Sequence, residues 1–173
     1  MSGRDHRWAQ AGALAALALL ATACSGGSDK VTVTGTDYRF ENLPKSVKAG
    51  TTLTLKNSSS KELHEMVVVK LPDTEKRSAD ELIKLPRAQF EAISPGPPAL
   101  VRVRPPGDAP EIEALGNGKL TEKGRYLVVC SIPTGADPAA FLKASEASPD
   151  GPPKGFNGAP HFTMGMYGEI TVK

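Results

Sequence analysis

Four side chains in this sequence can do chemistry that the rest cannot: His64, Cys130, His161 and Met166. They come from a small stock, since the 173 residues include three histidines, two cysteines and four methionines. Of that stock, His6 and Cys24 lie in or beside an N-terminal segment built like an export signal. Two imidazoles and a thiolate in a trigonal plane, with a weak axial thioether, make a mononuclear type 1 copper site that exchanges single electrons. Copper cycling between +1 and +2 needs donors that suit both states, so soft sulfur and borderline nitrogen are mixed. Met164, three residues past His161, is a second candidate for the axial position. Glu65 follows His64 directly but is not assigned as a ligand. Met66 shares the strand parity of His64, so Glu65 is expected to face solvent.

Rigid ligands require rigid supports, and most of the chain reads as short strands. Val31-Thr32-Val33-Thr34, a short strand at Val47 and Thr52-Leu53-Thr54-Leu55 come first. Further runs of β-branched and apolar residues lie at 65–69, 100–103, 126–129 and 169–172. Many short strands broken by Gly, Pro and Ser turns predict an all-β fold, a Greek-key β-sandwich. Two short helical insertions interrupt it. Ser78 and Glu81 have capping-box spacing, with Pro86 as the stop, and Asp137-Pro138 opens a second helix over 137–147. From that helix, Phe141, Leu142 and Ala144 are expected to face the sandwich. Segments 94–98 and 148–160 are rich in Pro and Gly and read as loops.

The first 23 residues carry Arg4 and Arg7, then an apolar run from Ala11 to Leu20, then Ala21-Thr22-Ala23 before Cys24. The run is too short for a permanent membrane span and has the layout of a cleaved secretory signal. Small residues before a cysteine resemble the lipobox of bacterial lipoproteins, although Leu20 sits one place early. That resemblance implies lipidation of Cys24, a tether over 24–30 and a domain over 31–173, held at the outer face of the cell membrane. Loss of Arg4, Asp5 and Arg7 lowers the formal charge from +2 to +1. A near-neutral chain with mixed signs gives no case for a nucleic-acid partner. About 150 residues suffice for one domain with a real core. In an oxidising compartment a lone thiol is a liability unless paired or ligated, which favours ligation of Cys130. A buried inert Cys130 and a Cys24–Cys130 disulfide in the unprocessed chain stay open as alternatives.

Gly124-Arg125-Tyr126-Leu127-Val128-Val129-Cys130 resembles the Gly-x-Tyr-x-x-x-Cys strand of cupredoxins such as plastocyanin and azurin. His161-x4-Met166, running into Gly168-Glu169-Ile170-Thr171-Val172, is similar to the ligand loop and last strand of that family. Asn57 to His64 resembles its first ligand segment. The resemblance implies one type 1 copper ion bound by His64, Cys130, His161 and, by family spacing, Met166. It also implies that the edge of His161 emerges through an apolar patch where redox partners dock, with Met164, Pro160 and Phe162 on its rim. Two departures stand out. In plastocyanin-like proteins the cysteine and second histidine are close, whereas 30 residues separate Cys130 from His161. Loop entropy sets the added cost at roughly 2–2.5 kcal/mol, which packing of the 137–147 helix can offset. Family members also often carry Asn, where this chain has Glu65, to tie the ligand loops together.

Other signals fail. His64-Glu65 lacks the second histidine of a zinc protease, since position 68 is Val. No serine nucleophile has a free base, and Glu111 and Glu113 read as solvated strand or loop residues. The expectation is therefore a lipid-anchored, monomeric electron carrier with an unknown redox partner and no enzymatic activity. Copper storage or delivery, and a metal-free binding module, are the competing readings.

Overall fold

The computed structural model describes residues 29–148 and 151–173. The signal segment 1–23, Cys24 and the tether through Ser28 lie outside the described residues. Two sheets face each other. The first has the order β2-β1-β4-β8, built from β1 (Lys30–Thr36), β2 (Arg39–Glu41), β4 (Thr51–Asn57) and β8 (Lys119–Leu120). The second has the order β3-β10-β9-β5-β6-β7. Its strands are β3 (Ser46–Val47), β5 (His64–Lys70), β6 (Leu100–Arg104), β7 (Ile112–Leu115), β9 (Gly124–Val129) and β10 (Tyr167–Val172). This is the Greek-key β-sandwich that the strand pattern predicts.

Alternation explains which residues meet in the middle. Val33, Leu53 and Leu55 of the first sheet pack against Met66, Val68, Leu100, Tyr126, Val128, Ile170 and Val172 of the second. Strand β9 departs from alternation, with Tyr126 through Val129 all buried. Its outer face is covered by the insertion after β5, where Leu82, Ile83, Leu85, Phe90 and Ile93 pack on Leu127, Val129 and Tyr167. The insertion is thus a second layer of core on the outside of the sheet.

Its two helices are α1 (Ala79–Leu82) and α2 (Arg87–Glu91). Glu81 accepts from both the Ser78 N–H and hydroxyl at 2.8 Å, as the capping-box spacing predicts. The first helix ends at Leu82, short of the expected stop at Pro86, and α2, absent from the sequence reading, starts directly after that proline. Helix α3 (Pro138–Glu146) begins as expected, with the Asp137 carboxylate accepting from Ala140 N–H at 2.8 Å. Strands β2, β7 and β8 also escaped the sequence reading. Two of them have only two or three residues, and β7 is exposed throughout. Glu113 is no idle surface group, since it lies 3.3 Å from the Arg102 guanidinium, a buried cation on β6. Among the described residues no helix is long and apolar enough to cross a membrane.

At the foot of β9 the Tyr126 hydroxyl donates to the Glu122 carbonyl at 2.7 Å, a tyrosine corner that fixes the turn into the strand. Tyr126→Phe should lower unfolding free energy by about 1 kcal/mol in a denaturant titration, because this hydrogen bond is lost. An unchanged midpoint would remove the corner from the account.

Candidate metal centre

Pairing within the second sheet brings three of the expected ligands to one end of the sandwich. His64 is the first residue of β5, and Cys130 follows the last residue of β9. The register Val67↔Val129 extends to put Glu65 opposite Ser131. On the other side of β9, Cys130 N–H donates to the Met166 carbonyl at 3.1 Å, continuing the β9–β10 ladder. His161 opens a single 3₁₀ turn, His161–Met164, that leads into β10. Its ends are tied by Phe162 N–H to the Cys130 carbonyl at 2.8 Å and by Met166 N–H to the His161 carbonyl at 3.1 Å. Backbone bonds thus link Cys130, His161 and Met166 directly.

The long gap between Cys130 and His161 closes on itself. His161 N–H donates to the Ile132 carbonyl at 3.0 Å, and Thr134 N–H to the Ala159 carbonyl at 2.9 Å. Pro133 and Pro160 form an antiparallel bridge between them. The insertion therefore leaves and returns through a two-stranded neck, so the ligand separation is set by that neck and not by the full loop. Phe141 of α3 and Ala136 then pack with Leu63, Val103, Ile132, Cys130 and Met166 into a second apolar cluster. Leu142 adds to its margin. This packing supplies the offset that the loop entropy demands.

The donor atoms converge. His64 Nδ1 and His161 Nδ1 are 3.3 Å apart, and Cys130 Sγ is 3.4 Å from His161 Nδ1. One donor atom from each of the three residues falls within 4.8 Å of the others, and all three side chains are buried. Met166 is fully buried, whereas Met164 is 55% exposed. Gly35, on β1, forms one wall of the site. A Cβ there would stand 3.0 Å from both His64 Cδ2 and Met166 Cε, so any larger residue would press on these two side chains. Nothing in the sequence marked Gly35, which follows the strand read at 31–34 and falls inside β1 in the structure.

Burial sets the protonation states. It lowers the His64 pKa from 6.5 to about 4, with the neighbouring His161 adding to the effect. It also lowers that of His161, while Glu62 and Asp37 pull the other way. The Cys130 thiol is pushed well up, first by burial and then by the Glu65 charge. The histidines are therefore neutral near pH 7, with nitrogen lone pairs free for a metal. The thiol must release its proton to bind one. A thiol and two neutral imidazoles facing one another in a dry site fit a soft or borderline ion such as copper.

Two expectations need correction. Glu65 does not simply face solvent. Its Oε1 accepts from Ser131 N–H at 2.9 Å, and its own N–H donates to Cys130 Sγ at 3.3 Å. Parity along β5 does point it away from His64, but the adjacent strand end supplies a backbone donor that holds it in. Glu65 thereby ties the ends of β5 and β9 together. Nor does the edge of His161 emerge through an apolar patch, because His161 is fully buried. The Tyr38 ring packs edge-on against it at 5.1 Å, and the Glu62 carboxylate lies 3.3 Å from its Nε2. Phe162, on the same turn, is stacked on Phe90 of α2 at 5.8 Å.

The segment before His64 is also pinned. Asn57 Nδ2 donates to the carbonyls of Glu62 at 2.8 Å and Arg104 at 2.9 Å, and Asn57 Oδ1 accepts from Ser59 N–H at 2.8 Å. The buried Nε2 of His64 has no hydrogen-bond partner among the described residues.

No protein-family model matches the chain, and no curated protein does. Solved structures do. A dithionite-reduced auracyanin from Roseiflexus castenholzii is 19% identical, with 86% of this chain and 99% of that chain covered and a TM-score of 0.45. Auracyanin A, a "blue" copper protein from Chloroflexus aurantiacus, is 17% identical over 85% of this chain and 100% of that one, with a TM-score of 0.46. An azurin from Methylomonas sp. strain J is 17% identical over 85% and 99%, with a TM-score of 0.39. These are distant likenesses.

Two outcomes follow from the geometry. A Cβ at Gly158 would run into the Thr134 backbone, whereas one at Gly151 in the same loop meets nothing within 4 Å. Gly158→Ala should open the neck, lower stability by about 2 kcal/mol or more and weaken metal binding, while Gly151→Ala does neither. Equal behaviour of the two variants in thermal melts and metal titrations would contradict the role of the neck. Separately, the unfolded metal-free chain takes up a proton at His64 below pH 6.5 that the folded chain refuses until about pH 4. Stability should therefore fall as pH drops through that window, by up to about 3 kcal/mol. Glu65, whose pKa burial raises, acts with the opposite sign above 4.5. Comparison with His64→Gln isolates the histidine, and an identical pH slope in both proteins would refute its contribution.

Proposed function

We propose that this chain is a mononuclear type 1 copper protein that carries single electrons. The observation that supports it best is the convergence of two Nδ1 atoms and one Sγ, from three separate elements, in a fully buried site. His64 and His161 would bind through Nδ1 and Cys130 through Sγ, with the buried Met166 beside them to offer a weak thioether donor. Bound copper supplies a one-electron couple. The protein's part is to hold the donors where both oxidation states accept them, to exclude water and to keep Cys130 from other thiols. Met166 is preferred over Met164 because its methyl reaches the same glycine wall as His64, whereas Met164 is open to solvent.

Lipidation at Cys24 would hold the domain at the outer face of the membrane, within reach of a protein redox partner. Copper delivery is supported less well, since all three donor side chains are buried and an incoming ligand would have to reach past Tyr38 and Glu62. A metal-free binding module leaves three buried polar donors facing one another without a purpose.

Titration with Cu(II) near pH 7 should give an intense visible thiolate-to-copper band that saturates at one copper per chain and releases about one proton. Cys130→Ser should abolish the band. Met166→Leu should shift the spectrum and raise the reduction potential, while Met164→Leu changes neither. Binding with no thiolate band, or a band that survives in Cys130→Ser, would overturn the assignment.

A further inference from the structure

The covering of His161 is built with more care than burial alone requires. Glu62 Oε2 lies 3.3 Å from His161 Nε2, set off the ring's N–H axis, so that buried nitrogen has a carboxylate beside it without a formed hydrogen bond. The carboxylate is itself held on both oxygens. Tyr38 donates its hydroxyl to Oε1 at 3.3 Å, and Gly135 N–H donates to Oε2 at 3.2 Å. Its backbone is fixed as well, with Glu62 N–H donating to Ser59 Oγ at 2.9 Å and its carbonyl accepting from Asn57 at 2.8 Å. The Glu62 side chain is only 16% exposed. Tyr38 reaches this position from a left-handed backbone, φ 63°, which a bulky residue adopts only when its surroundings compel it.

We propose that Glu62, braced by Tyr38 and Gly135, is a positioning residue that fixes the tautomer of His161 and biases the bound ion toward its oxidised state. The inference rests on the copper reading above and adds a determinant of potential. With its proton on Nε2 facing Glu62, His161 presents a bare Nδ1 to the metal, which is the form a ligand needs. A carboxylate beside the outer nitrogen makes the imidazole a stronger donor, and its fixed negative charge favours the more highly charged ion. Both effects are larger in a site with little water. Asp37 also acts on His161 but is exposed, so its charge is screened.

Glu62→Gln keeps the shape and an acceptor oxygen while removing the charge, and it is compared with Asp37→Asn and the unaltered chain. In the copper-loaded proteins, Glu62→Gln should keep the thiolate band and lower the preference for Cu(II) over Cu(I) by about tenfold, equivalent to 59 mV in midpoint potential. Asp37→Asn should change it by less than threefold. In the metal-free proteins, nitrogen-15 NMR should find His161 protonated at Nε2 in the unaltered chain, with the population of that tautomer reduced in Glu62→Gln. A blue unaltered protein whose potential and tautomer are both unmoved by Glu62→Gln overturns this inference and leaves the copper reading intact. An unaltered protein that never turns blue overturns the copper reading instead. The metal-free tautomer then still decides the role of Glu62, and identical His161 spectra in both chains refute it.

Discussion

The register between β5, β9 and β10 is the constraint on which the rest depends. A one-residue slip in a strand moves every side chain to the opposite face. Slipping β5 against β9 would therefore remove His64 from Cys130 and empty Met66 and Val68 from the core at once. The apolar alternation that buries those residues is thus also what aims His64 inward. Glu65 locks the same register at the site end by accepting from Ser131, and Cys130 N–H to the Met166 carbonyl locks the other side. Core packing and ligand placement are here one and the same interaction network.

That network explains how a dry, polar site is tolerated. Two imidazoles and a thiol are costly to bury unless they stay neutral or gain partners, and burial keeps all three uncharged. The site is thus suited to a metal: an ion that displaces the thiol proton would give these donors a common partner. Gly35 makes the room, and the neck at 132–134 and 159–161 holds the last loop in place. The helical insertions do not dilute this arrangement. One covers the outer face of β9 and β10, and the other fills the floor behind Cys130 and Met166.

Much of this is legible in the sequence because it is local. The longer strands that carry ligands or core announce themselves by runs of β-branched and apolar residues, and the helix starts at Ser78 and Asp137 by their caps. The donor set is legible because the chain has so few histidines and cysteines. What escaped depends on distant partners. Glu65 reads as a surface residue until Ser131 is placed beside it, and Glu62 and Tyr38 carry no motif at all. The buried state of His161 follows from a β1–β2 hairpin whose second strand has three residues, too few to show a period. Gly35 and Gly158 look like any other glycine until the atoms opposite them are known.

The central claim is that the protein imposes a trigonal sulfur–nitrogen geometry on a single copper ion. Electron paramagnetic resonance of the chain loaded with one equivalent of Cu(II) tests it most directly. The account predicts one species with narrow parallel hyperfine splitting, reflecting spin shared with the Cys130 sulfur. A wide splitting typical of tetragonal nitrogen and oxygen ligation, or a mixture of weakly bound species, would contradict it.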